Sequence, residues 1–274
     1  MRIAINCRSF LKKRYTGIGR YAANLVRWLG VVDQENDYWL YARRPVLDRS
    51  RRWPRPPADN FILKRDCWGR GPGRILAGVD IYHSPCPEDL PGIPAKMVVT
   101  VHDLIHRAYP QGHTDETIRT AETQIRQAVD RADRIICCSR CTAQDLQRYF
   151  GVDPRRVAVI YQGVDREAFY PLSGSQRAAA VQALAARGVD GPFILFVGTI
   201  EPRKNLANLL RALAILRAEG CRAKLVVAGM QGWMPEQLAP VLRETAMEDQ
   251  VIFLGYVPDD LLRRSESTRL NSSH

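Results

Sequence analysis

Short apolar or β-branched runs recur along this chain, each followed by a stretch with helical spacing, and that alternation constrains the fold more than any other feature. Strands are expected at Arg2–Asn6, Tyr38–Tyr41, Phe61–Lys64, Ile81–His83, Met97–Val101, Ile135–Cys138 and Val157–Ile160. Three more are expected at Phe193–Val197, Leu225–Ala228 and Val251–Leu254. Helical patterns fall at Ile18–Leu29, Glu116–Arg131, Thr142–Phe150, Leu206–Glu219 and Glu236–Met247. Strands alternating with helices imply α/β architecture, with parallel sheets wound on both faces. Tyr170-Pro-Leu-Ser-Gly-Ser-Gln176 reads as a linker, which places a boundary near residue 172. Residues 1–172 then form one Rossmann-like domain and 173–264 a second. The second offers three strands where such a sheet has about six, so it reads as incomplete.

A length of 274 residues is comfortable for two domains. The apolar runs are far too short to span a bilayer, and the N-terminus lacks an apolar signal core. Seven cysteines at irregular spacing read as reduced thiols, and the chain is expected to be cytoplasmic. The last ten residues, Ser265–His274, break from the pattern of Pro258–Arg264. They match the translation of a sequencing-adaptor read-through and are expected not to belong to the fold.

Forty Lys and Arg against twenty-nine Asp and Glu leave a net charge of +11, which calls for anionic company. Much of the excess lies between Arg43 and Arg74, a segment that also holds Trp53 and Trp68. A solvated loop and a face resting on anionic lipid both fit. Nucleic acid is not expected, since no recognition motif accompanies the charge.

Ligands of open parallel sheets bind beyond the carboxyl ends of the strands. The unusual residues of this chain gather there: Gly17 and Gly19, His102 and Asp103, Ser139, Gly198-Thr199, Gly229 and Gly255. Together they predict one cleft between two facing sheets. Gly17-Ile-Gly-Arg-Tyr-Ala22 fits a dinucleotide fingerprint, but the glycines come ten residues after the strand. The next strand runs into Arg43 and Arg44, which leaves an NADP enzyme open. A long glycine-bearing loop suits a diphosphate or a bulky sugar better. Glu201-Pro-Arg-Lys-Asn205 puts Arg203 and Lys204 where a helix begins, an arrangement that makes sense around an anion. His102 can serve as base, polariser or hydrogen-bonding clamp. Cys137, Cys138 and Cys141 lack a second Cys or His cluster, so no metal is expected.

Seven segments occur in order: Gly17–Tyr21, Val98–Leu104, Ala132–Ser139, Tyr161–Asp165, Phe196–Asn205, Val227–Gly229 and Leu254–Pro258. The series resembles retaining glycosyltransferases of family 4, with the GT-B fold, and especially their bacterial mannosyltransferase branch. The resemblance runs from Met1 to about Arg264. It implies a nucleotide-sugar donor, GDP-mannose, as a substrate with no cofactor, and a glycan or lipid-linked acceptor in cell-surface polysaccharide synthesis. It implies that Gly17 and Gly19 close over diphosphate and sugar, that His102 touches the transferred sugar, and that Arg203 and Lys204 neutralise the leaving diphosphate. Many members carry arginine where this chain has Thr199. Tyr21, Asp103, Ser139 and Gly229 are further candidate substrate contacts. Two glutamates that would hold the donor ribose and sugar are expected after Pro258, where the sequence enters its anomalous tail. Weak donor binding and little or no turnover are therefore expected, so that this stretch of chain is expected to be inactive. An NADP-dependent oxidoreductase and a non-catalytic carbohydrate- or membrane-binding fragment are the alternatives.

Overall fold

The computed structural model describes residues 1–11, 17–44, 48, 53–167, 169–230, 232, 238–257 and 262. The anomalous tail lies outside them. The chain divides into two units, the first made of Met1–Pro110 and Thr114–Gln162, the second of Gln111–His113 and the chain from Gly163.

The first unit holds seven strands: β1 (Arg2–Asn6), β2 (Asp37–Arg43), β3 (Phe61–Asp66), β4 (Ile81–Ser84), β5 (Lys96–Val101), β6 (Arg134–Cys137) and β7 (Val157–Val159). All pair in parallel, in the order β3-β2-β1-β4-β5-β6-β7. The order reverses between β1 and β4, the switch point at which doubly wound sheets bind ligands. Its longer helices are α1 (Gly17–Val32), α4 (Asp115–Arg131) and α5 (Arg140–Phe150), with single turns α2 (Pro72–Ile75) and α3 (Ile105–Ala108).

Strand alternation sends neighbouring residues to opposite faces. Ile5 packs with Leu40 and with Val26 of α1, whereas Ala4 belongs to the cluster holding Val99, Ile125 of α4 and Leu146 of α5. Helices form where caps and composition agree. Thr114 accepts the Thr117 N–H at 3.2 Å ahead of Asp115 and Glu116, and Arg131 closes α4 against the dipole.

The second unit carries α6 (Gly174–Ala185), β8 (Phe193–Val197), α7 (Leu206–Ala218), β9 (Lys224–Ala228), α8 (Leu238–Thr245) and β10 (Val251–Gly255). Its sheet runs β10-β9-β8, again parallel. Leu225 and Val227 face α7 and α8, and Val226 and Ala228 face α6. The stretch read as a linker already contains the start of α6. The Ser173 N–H donates to Oε1 of Gln176 at 3.0 Å, so Ser-Gly-Ser-Gln begins a helix.

Candidate active site

At the carboxyl end of β5, the His102 ring is held on both sides. Its Nε2 lies 2.8 Å from the Pro85 carbonyl. A carbonyl only accepts, so Nε2 carries the proton and Nδ1 is left as an acceptor. The Gln162 side-chain amide donates to Nδ1 at 3.3 Å, and the Cys138 thiol lies 3.4 Å from the same nitrogen. Tyr21, from the second turn of α1, meets the ring edge-on with centroids 4.8 Å apart. Burial lowers the His102 pKa, opposed in part by the Pro85 bond, so the ring is neutral. A neutral imidazole with fixed tautomer presents a hydrogen-bonding clamp better than a standing positive charge.

Below it, Thr100 Oγ1 lies 3.3 Å from the Tyr21 hydroxyl and 3.0 Å from Nε2 of His83. Burial pushes the His83 pKa down to about 4. Gly17 and Gly19 sit in the first turn of α1, not in a tight turn after β1. A Cβ on Gly17 would meet nothing within 4 Å, so protein packing leaves that position open.

The second unit gathers its glycines at the carboxyl ends of β8, β9 and β10. Gly198 has φ +149° and Gly255 φ +65°, conformations side chains rarely adopt. The Gly229 N–H donates to the Gly255 carbonyl at 2.8 Å. A Cβ on Gly229 would stand 1.8 Å from the Gly198 carbonyl oxygen. Gly229 is thus required for the close approach of two loops. The Ile200 N–H donates to the Met230 carbonyl at 2.9 Å, fixing the backbone beside Thr199.

Arg203 and Lys204 lie in a 3-10 turn, Pro202–Lys204, that leads through Asn205 at φ +57° into α7. Arg203 is not a bare cation at a helix start. Its Nε pairs with Oε1 of the buried Glu201 at 2.5 Å. Lys204 is exposed.

The family model described as Glycosyltransferase Family 4 matches residues 15–168. The chain belongs to glycosyltransferase family 4. A model described as Glycosyl transferases group 1 matches residues 184–272. The O-antigen chain mannosyltransferase B of Escherichia coli is 26% identical over 280 residues, covering 91% of this chain and 70% of that protein. The D-inositol 3-phosphate glycosyltransferase of Thermomonospora curvata is 34% identical over 185 residues, covering 62% of this chain and 42% of that protein. For the serotype-specific mannosyltransferase WbdA of Escherichia coli, 30% identical over 171 residues, the match spans 59% of this chain and 21% of that protein. Among solved structures, Anabaena Alr3699/HepE in complex with UDP-glucose superposes with TM-score 0.65 at 17% identity, covering 98% of this chain and 72% of that one. Sucrose-phosphate synthase from Thermosynechococcus elongatus gives TM-score 0.67 at 18% identity, covering 98% and 74%. The fold is GT-B.

In this family 4 chain the remaining expected residues divide by role. Ser139 caps α5: its Oγ accepts the Thr142 N–H at 3.1 Å, and the Thr142 hydroxyl donates to the His102 carbonyl at 3.0 Å. Ser139 therefore fixes the backbone of His102 from behind. Asp103 is exposed, its carboxylate accepts the Ile105 N–H at 3.2 Å, and its charge acts on the His102 ring through space, in the direction that raises the ring's pKa. Among the described residues no His, Cys, Asp and Glu group could hold a metal ion. Sequence reasoning missed Gln162, Cys138 and the Pro85 carbonyl as the neighbours that orient His102. Gln162 lay within the Tyr161–Asp165 segment; Pro85 carried no signal, because its backbone makes the contact.

Proposed function

We propose that this family 4 chain moves mannose from GDP-mannose to a growing glycan in cell-surface polysaccharide assembly, with retention at the anomeric carbon. The neutral, doubly held His102 supports this reading most directly. Such a ring meets sugar hydroxyls and tolerates a developing oxocarbenium ion nearby, where an imidazolium would repel it. The likeness across 91% of the chain to an O-antigen chain mannosyltransferase supports the sugar and the pathway class.

The acceptor hydroxyl oxygen forms a bond to the anomeric carbon as the bond from that carbon to the diphosphate oxygen breaks. The electron pair of the broken bond leaves with the diphosphate. The acceptor proton passes to an oxygen of the departing phosphate, so no carboxylate base is needed. Arg203 and Lys204 stabilise the growing negative charge, and the Gly198 loop allows the backbone to approach the phosphates. Gly17 and Gly19, at the N-terminus of α1, bear on the sugar and diphosphate.

Peripheral contact with an anionic membrane on the cytoplasmic side is part of the proposal. Trp53 is flanked by Arg44 and Arg65 at 5.2 and 5.3 Å, Lys64 stands 3.7 Å over Trp39, and Trp68 is 77% exposed. Interfacial tryptophans flanked by cations suit a headgroup layer. Arg49, Arg51 and Arg52, read with this segment, lie outside the described residues. No described helix is long and apolar enough to cross a membrane.

The test is a single-turnover incubation, protein in excess over labelled GDP-mannose, with mannotriose as acceptor. Transfer in low yield is expected, in keeping with the weak turnover anticipated for this stretch of chain, and what product forms should be α-linked and one hexose heavier. A β-linked product, or mannose released only to water, contradicts the proposal.

A further inference from the structure

We propose that the first unit carries a second carbohydrate subsite, apart from His102, that holds an internal sugar of the acceptor glycan. This rests on the transferase reading above. The carboxyl ends of β1 and β2 enclose a cavity of about 470 Å³ lined by Asn6, Arg8, Tyr41, Arg43 and Asp89, among others. That volume lies within the range of roughly 300–1,000 Å³ common to small-molecule sites.

The floor of the cavity is fixed. Asn6 is buried, its Oδ1 accepts the Arg8 N–H at 3.0 Å, and its Nδ2 donates to the Glu88 carbonyl at 3.4 Å. Tyr41 is buried, and its hydroxyl donates to Oδ2 of Asp66 at 3.2 Å. Asp66 is itself held by the Arg70 and Gly71 N–H groups at 2.9 and 3.3 Å. One wall is held in place by its neighbours. Asp89 has φ +51°, a left-handed conformation that Asp and Asn adopt more readily than other side chains. The Tyr82 hydroxyl holds its carbonyl at 3.3 Å, and its carboxylate pairs with the Arg8 guanidinium, which also lies 3.6 Å from Glu88.

The lining selects the ligand. A site for free phosphate would gather cations, whereas here Arg8 and Arg43 share the lining with Asp48 and Asp89, and Glu88 also pairs with Arg8. The guanidinium groups and the Asp89 carboxylate offer donors and acceptors around one cavity. Adjacent hydroxyls of a pyranose ring need that arrangement.

Position selects which sugar. His102 follows β5, and the order β2-β1-β4-β5 sets the cavity two to three strands away. At about 4.8 Å per strand this is roughly 10–14 Å. The reacting hydroxyl belongs beside His102, so the cavity takes a ring farther along the acceptor. The enzyme would then read chain length and internal sequence as well as the terminal hydroxyl.

Calorimetry on the full chain tests this with methyl α-mannoside, mannobiose, mannotriose and mannotetraose, in the presence of GDP. Affinity is expected to rise about tenfold once the oligomer reaches the cavity, the worth of one or two added hydrogen bonds. Asp89→Asn keeps the backbone, because Asn tolerates positive φ, and should abolish that rise. Arg43→Gln, on the opposite side of the cavity, should do the same. Thermal stabilisation by GDP checks that each variant is folded. Affinity independent of length, retention of the rise in both variants, or no binding of any mannoside while GDP still stabilises the protein would overturn the subsite. Loss of GDP stabilisation in the unmodified chain would instead overturn the transferase reading.

Discussion

The Glu201 carboxylate, only 3% exposed, meets Nε of Arg203 at 2.5 Å. The pair sets one charge against the other in the turn that leads into α7. Arg203→Ala strands a buried carboxylate, a change that typically costs about 3–5 kcal/mol. Denaturant unfolding should show that loss, and the double variant Glu201→Leu/Arg203→Leu should recover most of it. Calorimetry should find GDP affinity weakened in both. Normal GDP affinity in the double variant would remove Arg203 from the diphosphate role.

His102 offers a test that does not require turnover. The geometry predicts a neutral ring protonated at Nε2, with a pKa below that of a free imidazole. Nitrogen-15 NMR of the labelled side chain reads the tautomer directly. Gln162→Leu removes the donor to Nδ1 and should broaden or shift that resonance while overall stability changes by less than about 1 kcal/mol, as expected at an exposed site. A ring protonated at Nδ1 in the unmodified protein would contradict the assignment.

Gly229→Ala puts a methyl group 1.8 Å from the Gly198 carbonyl, and backbone on both sides must move. Overpacking of that severity costs about 3 kcal/mol or more. Thermal unfolding should drop steeply, and GDP should no longer protect the variant. A stable variant with intact GDP binding would show that the two loops separate freely.

Much of this was legible in the sequence, for identifiable reasons. All ten expected strands form, because parallel strands read as short apolar or β-branched runs. Their bounds move by a residue or two, as with β3, which runs on to Asp66 past the expected end at Lys64. The helix α6 was missed because Ala-rich Arg177–Ala186 has little amphipathic pattern and follows a Ser-Gly-Ser stretch typical of linkers. At the strand ends, spacing singled out His102, Arg203 and the glycines as candidates. It could not show that Glu201 pairs with Arg203, that the Asp103 carboxylate accepts the Ile105 N–H, or that Gly229 answers to Gly198. Those relations depend on side-chain direction and on loops meeting across the sheet.

Acid sensitivity follows from His83. Its folded pKa of about 4 lies below the ordinary value of 6.5, so the unfolded chain binds the proton more readily. The stability that depends on keeping this ring neutral is present above pH 6.5 and is lost as the pH falls from there towards 4. At 1.36 kcal/mol per unit the loss is about 3 kcal/mol. Urea midpoints measured across that window should fall in the unmodified protein and fall less in His83→Gln. Equal slopes would place the acid sensitivity elsewhere.

The most direct measurement is a thermal-unfolding series with GDP, GDP-mannose, UDP-glucose and NADPH on the unmodified chain and on the Glu201→Leu/Arg203→Leu variant. The account predicts stabilisation by GDP and GDP-mannose that the variant loses, a smaller effect of UDP-glucose, and none from NADPH. Protection by NADPH without protection by GDP, or GDP protection that survives loss of Arg203, would contradict it.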